Sequence, residues 1–193
     1  MNLAELNVKS IIQKNLENSM KPMLHEFFQK RMPHPEFSVE SITYENLAFA
    51  ENMVIMLLTN SQVRMFLKIH FHLDTARSLI AQRQKKTEKT ITERMAVDFM
   101  KEMVNVLGGL LKRRIAHLKM EMGQSIPLDL EGYSEIFFHD VNWESQTLAF
   151  VVGHPGVQFH VSAQYEITGD EASRKLLGFT DEKKSEEEDI EFL

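Results

Sequence analysis

The sequence predicts one α+β domain, and three observations carry that expectation. Two long stretches, one at the N-terminus and one in the middle, repeat apolar residues at spacings of three and four, the period of a helix with one buried face. Short alternating or continuously apolar segments lie between and after them, at strand length. The chain has 193 residues, enough for one sizeable core and awkwardly few for two.

The first helix is expected from residue 3 to about residue 31, with Leu3, Leu6, Ile11, Ile12, Leu16, Met20, Met23, Leu24, Phe27 and Phe28 on one side. Pro22 should kink or split it, because proline lacks the N–H and crowds the preceding turn. Pro33 and Pro35 should end it. Strands are then expected at 38–50, with a turn near Glu45-Asn46, at 53–59 and at 64–73. MVIMLLT at 53–59 is a continuous apolar run, the mark of a strand buried on both faces. In the third strand Met65, Leu67, Ile69, Phe71 and Leu73 point one way, and Phe66, Lys68, His70 and His72 the other. Asn60-Ser61 suits a hairpin turn, and Asp74-Thr75 suits the start of a short helix to about Gln84.

After the polar run QRQKKTEKT comes the longest helical pattern. Thr90 and Glu93 have the spacing of a capping box at its start, and Gly123 is a natural stop after about Met122. Further strands are expected at 135–138, 147–152 and 157–167, with His154-Pro155-Gly156 turning between the last two. No solenoid-length repeat is present.

Composition excludes several classes of function. Hydrophobic residues make up 43% and charged residues 26%, near a globular average, and no apolar run is long enough to span a bilayer. The start, MNLAELNVKS, lacks a basic segment leading into an apolar one, so a cytoplasmic protein without a secretory signal is expected. There are no cysteines, which removes disulfides, thiolate metal sites and thiol nucleophiles. A net charge of -6 argues against a nucleic-acid partner. The final stretch, DEKKSEEEDIEFL, is strongly acidic and reads either as a solvated tail or as a docking peptide anchored by Ile190, Phe192 and Leu193.

The chemistry concentrates on the long helix. At about 100° per residue, Asp98, Glu102, Asn105 and Gly109 fall on one narrow strip of an otherwise apolar cylinder. A polar strip alone is what any surface helix shows. Here it contains Asn105, a poor helix former, and runs beside Gly108-Gly109, each glycine costing about 1 kcal/mol relative to alanine in mid-helix. Helix packing would account for such glycines, and so would close approach of another backbone. His70 and His72, with His154 and His160, could be imagined around a zinc ion, but no carboxylate spacing supports a site. The twelve methionines read as core filler.

The segment DFMKEMVNVLGG, followed by Pro127, resembles the signature of the CheC/CheX/FliY phosphatases of bacterial chemotaxis: Asp or Ser, three residues, Glu, two residues, Asn, and a Pro further on. Asp98, Glu102, Asn105 and Pro127 stand at those positions, and Gly109 at the small-residue site after the Asn. The order of elements is also similar to that of CheX. The resemblance implies an α+β fold of CheC/CheX type, an antiparallel-rich sheet packed with the signature helix and an N-terminal helix. It implies a phosphatase domain over residues 1–168, with 169–193 an acidic, flexible extension. The implied activity is hydrolysis of the aspartyl phosphate of a CheY-like response regulator. In that role Asn105 orients the attacking water and Glu102 contacts the regulator's active-site lysine, while Asp98 and Gly109 belong to docking. Mg²⁺ would sit on the regulator, leaving this chain with no cofactor or metal of its own, and a homodimer is implied. The alternative is a CheX-like module that binds a regulator or another signalling protein without catalysis. The chain departs from CheC and FliY in holding one signature copy, because Ser10 in the first helix is followed by Lys14 and Glu17 where Glu and Asn would be needed. Val106 stands where the family commonly has Met or Ile.

Overall fold

The computed structural model describes residues 3–29, 37–43, 50–117, 120–135, 146–154 and 156–168. Helix α1 spans Leu3–Leu24 and continues into a single wide π-turn, His25–Gln29. Strands β1 (Ser38–Ile42), β2 (Asn52–Thr59) and β3 (Val63–Phe71) precede helix α2 (Leu73–Gln84) and the long helix α3 (Glu93–Ala116). Short strands β4 (Gly123–Gln124) and β5 (Leu128–Glu131) follow, then β6 (Gln146–His154) and β7 (Val157–Ile167). The strands form one antiparallel sheet in the order β1-β6-β7-β3-β2-β4, with β5 also pairing along β2.

The three helices cover one face of the sheet. α1 and α2 both pack on α3, which lies along β2. Alternation supplies that face: Val54, Met56 and Leu58 of β2 pair in register with Ile69, Leu67 and Met65 of β3, and all six are buried. Against them α3 sets Met100, Met103, Val104, Leu107 and Leu111, none of them solvent-accessible. The expectation of a doubly buried β2 is met, since Met53 and Ile55 on its other face are buried too.

Pro22 does not split α1, which runs past it to Leu24. The proline deprives the carbonyl of Asn18, four residues back, of its helical donor. Arg114 Nη2 of α3 donates to that carbonyl at 3.2 Å instead, so the break is repaired by tertiary contact. The hairpin at Asn60-Ser61 forms as expected. Asn60 Oδ1 accepts from the backbone N–H of Gln62 and of Val63, at 2.8 and 2.7 Å. β6 and β7 meet across the expected turn, where Gly156 takes a φ of 79°.

Several boundaries differ from expectation. α3 is capped by Thr92, whose side chain accepts from Met95 N–H, not by a Thr90–Glu93 box. Thr90 is engaged in a 3-10 turn, Glu88–Thr90, and donates its hydroxyl to Thr87 O. α2 begins at Leu73 with His72 as its cap residue and no side-chain capping bond, so Asp74-Thr75 lies inside the helix. α3 ends at Ala116, and residues 118–119, together with the Glu45-Asn46 turn, lie outside the described residues. Among the described residues of 38–50, the strand is Ser38–Ile42. Glu135 does not open a strand: it closes a 3-10 turn at Gly132–Ser134, and 136–138 lie outside the described residues, as does the extension 169–193.

The sheet's second face is more polar, and it too is buried near its centre. Lys68 and His70 have no exposed surface, nor does Ser162 of β7. Lys68 Nζ donates to Glu135 Oε1 at 2.8 Å and to Gln164 Oε1 at 3.2 Å. His70 Nε2 lies 3.0 Å from Ser162 Oγ. Gly132 allows the approach that brings Glu135 in, since a Cβ there would fall 1.6 Å from Ala50 O.

Candidate functional site

The strip on α3 faces away from the core. Asp98 and Glu102 are exposed, Asn105 and Gly109 are partly exposed, and their neighbours Phe99, Met103 and Leu107 are buried, which is the arrangement the helical period predicts. One side of the strip is walled by the segment 124–127, where β4 leaves β2. Asp98, Lys101, Glu102, Asn105, Gln124, Ser125, Ile126 and Pro127 line an open cleft of about 430 Å³. Pro127, distant in sequence from the Glu-x-x-Asn pair, is thus brought beside it. Ile126 on the rim is 77% exposed, the most exposed large apolar side chain of those described.

Each member of the site has a definite environment. Asp98 makes a loose surface pair with Arg94, one turn earlier, at 3.8 Å. Lys101 reaches across to Asp129 of β5, and that contact holds the Asp129 carboxyl below its ordinary pKa. Glu102 has no hydrogen bond or ion pair to a described residue. Asn105 is held: Gln124 Nε2 donates to its Oδ1 at 2.8 Å. Gln124 is pinned in turn, since it pairs with Leu58, and the next residue donates its N–H to Leu57 O at 2.9 Å. The sequence pattern does not single out Lys101, Gln124 or Asp129. The position of Gly123-Gln124 just before the signature proline is the one hint the sequence offers.

The two glycines separate. A Cβ on Gly108 would sit 1.9 Å from Met56 Cε, so this glycine serves packing of α3 on β2. Of the two explanations the sequence leaves open, helix packing is the one met at Gly108, where the contact is with a side chain and not with another backbone. A Cβ on Gly109 would meet nothing within 4 Å. Nothing among the described residues requires a glycine there.

Other suggestions from sequence assemble less. Among the described residues no three His, Asp or Glu side chains converge as a metal site. His70 and His160 are cross-strand partners, but His70 shares a hydrogen bond with Ser162 and His72 points to solvent. On α1, Lys14 is exposed and Glu17 accepts from Gln13 Nε2.

The helices and the antiparallel sheet have the CheC/CheX type of fold, as superposition shows. The chain superposes on a CheC-like superfamily protein from Shewanella sp. PV-4 with a TM-score of 0.62 at 13% identity, covering 86% of this chain and 99% of that one. It superposes on CheX of the CheX-CheY-BeF3-Mg complex from Borrelia burgdorferi with a TM-score of 0.59 at 14% identity, covering 81% and 97%. The FliM middle domain of H. pylori gives 0.56 at 12% identity, covering 91% and 99%. No family model and no curated protein matches the sequence. No helix among the described residues is long and apolar enough to cross a membrane.

Proposed function

We propose that this protein is a CheX-like phosphatase that hydrolyses the aspartyl phosphate of a CheY-like response regulator. The observation that carries the reading is the placement of Glu102 and Asn105 side by side on the outward strip of α3, at a cleft closed on one side by Pro127. Residues one helical turn apart stand with Cβ atoms about 5–6 Å from each other, close enough to enter one small pocket together.

The reaction asks little covalent chemistry of the enzyme. An aspartyl phosphate is an acyl phosphate, so catalysis consists of setting a water in line with phosphorus and stabilising charge. The Asn105 amide offers both a donor and an acceptor to such a water. Glu102, when ionised, is a pure acceptor for the regulator's active-site lysine, a charge-assisted contact contributing about 1.5–3 kcal/mol. Mg²⁺ belongs to the regulator, as do the phosphoryl group and the lysine. Asp98 and Gly109 lie along the same strip and serve docking. Cytoplasmic signalling, chemotaxis among its forms, is the setting that fits, with a homodimer as the assembled form.

Docking without hydrolysis is the second reading, and the likeness to FliM favours it, since one FliM structure of this fold is a complex with a protein named SpeE. Phosphate release from the phosphorylated regulators of the same cell separates the two. Asn105→Ala should lower the rate about 10²-fold, equivalent to roughly 2.7 kcal/mol of barrier, while regulator binding stays near the native level. A native rate in that variant would end the catalytic assignment of Asn105.

A further inference from the structure

We infer that Gln124 is a positioning residue, fixing which end of the Asn105 amide faces the reacting phosphoryl group. The inference rests on the phosphatase reading and adds to it a residue from outside the signature helix.

A free carboxamide can turn over about its terminal torsion, exchanging a donor for an acceptor at nearly the same place. For a group that must orient a water, that exchange reverses the chemistry. Gln124 removes the ambiguity. Its Nε2 lies 2.8 Å from Asn105 Oδ1 and 3.5 Å from the Asn105 backbone oxygen. A backbone oxygen can only accept, so the end of Gln124 turned toward α3 is its nitrogen. The Asn105 atom facing that nitrogen must then be an acceptor, which is Oδ1 and not Nδ2. One lone pair of Oδ1 is thereby occupied and the other remains for a water, while Nδ2 has no hydrogen bond to any described residue and is available to a phosphoryl oxygen.

The lever is rigid because it belongs to the sheet. Gln124 is in register with Leu58 of β2, Ser125 N–H donates to Leu57 O, and Ser125 Oγ accepts from Leu57 N–H at 3.0 Å. Asn60 Nδ2 donates to Glu121 O at 3.2 Å, tying the approach to β4 to the β2–β3 turn. The orientation of an amide on an outward helix face is thus set by a strand on the neighbouring sheet edge, as preorganised sites require.

Two near-isosteric replacements test this. Gln124→Leu removes the donor. Gln124→Glu replaces it with an acceptor that repels Oδ1 and draws Nδ2 toward itself, turning the amide over. Single-turnover dephosphorylation of the phosphorylated regulator at saturating protein should fall about 10-fold in Gln124→Leu and further in Gln124→Glu, the loss of one hydrogen bond followed by its inversion. Affinity for the regulator loaded with beryllofluoride and Mg²⁺ should stay unchanged in both. In 15N relaxation the Asn105 side-chain amide should gain mobility in Gln124→Leu, whether or not substrate is present. A role in packing alone would make the introduced charge and the lost bond equivalent in rate, or would weaken affinity, and either result overturns the inference. Native rates in both Gln124 variants beside an inactive Asn105→Ala overturn it too and leave the phosphatase reading standing. A native rate in Asn105→Ala ends the catalytic assignment of Asn105 and this inference with it, whereas a wild-type protein that releases no phosphate defeats the phosphatase reading.

Discussion

Lys68 Nζ and Glu135 Oε1 lie 2.8 Å apart, with side chains 0% and 1% exposed, tying β3 to the 3-10 turn that follows β5. Burial lowers the Lys68 pKa, and the charge and hydrogen bond of Glu135 oppose that shift. A buried ion pair contributes little net stability over an apolar pair of similar shape, but removing one partner leaves a charge in a low dielectric. Glu135→Ala should therefore lower unfolding stability by about 3–5 kcal/mol, whereas Lys68→Met with Glu135→Leu should recover most of it. Urea titration reads both. A loss below about 1 kcal/mol in the single variant would mean that the pair is not desolvated as described.

His70 predicts a pH dependence of stability. Burial first, then the charge of Lys68 and the neighbouring His160, lowers its pKa from 6.5 to about 3. The unfolded chain therefore binds a proton below pH 6.5 that the folded chain refuses, so stability falls as pH drops from 6.5 toward 3. The slope approaches about 1.4 kcal/mol per pH unit for this one group, and above pH 6.5 the contribution is flat. His70→Gln keeps a hydrogen-bonding side chain near Ser162 but should reduce that slope between pH 6 and 4. An unchanged slope, measured as urea midpoints across that range, would assign the acid sensitivity elsewhere.

Gly108 and Gly109 should respond oppositely to alanine. Gly109→Ala meets open space and gains helix propensity, so it should raise stability by about 1 kcal/mol. If a regulator packs closely over the strip, the same methyl group weakens its binding. Gly108→Ala gains the same propensity but must displace the buried Met56 methyl, a cost of about 1–3 kcal/mol, so it should be neutral or destabilising. Thermal melts give the stability arm and titration with the beryllofluoride-loaded regulator gives the docking arm. A stabilised Gly109→Ala that binds normally would remove Gly109 from the docking surface.

The helical period had already separated the strip from the core. It could do so because facing is a local property, settled by 100° per residue once the helix exists. The strand alternation of β3 and the Asn60 turn were legible for the same reason. Caps were less so, because Thr90 and Thr92 compete for one helix end and the winner depends on which hydroxyl the preceding 3-10 turn engages. Glu135 reads as the start of a strand because an apolar stretch follows it, and its pairing with Lys68, 67 positions away, leaves no local mark.

Local order in the chain therefore specified the α+β class, the long helix and the outward direction of Asp98, Glu102, Asn105 and Gly109. Folding added everything that depends on distant segments meeting: Pro127 beside the strip, Lys101 across from Asp129, and Arg114 on the carbonyl that Pro22 leaves open. It also decided which way the Asn105 amide turns, because that rests on Gln124, nineteen positions away and brought near by the pairing of β4 with β2. Periodicity encodes which side of an element is wet. Hydrogen-bond partners are chosen by three-dimensional proximity, which no single stretch of chain carries.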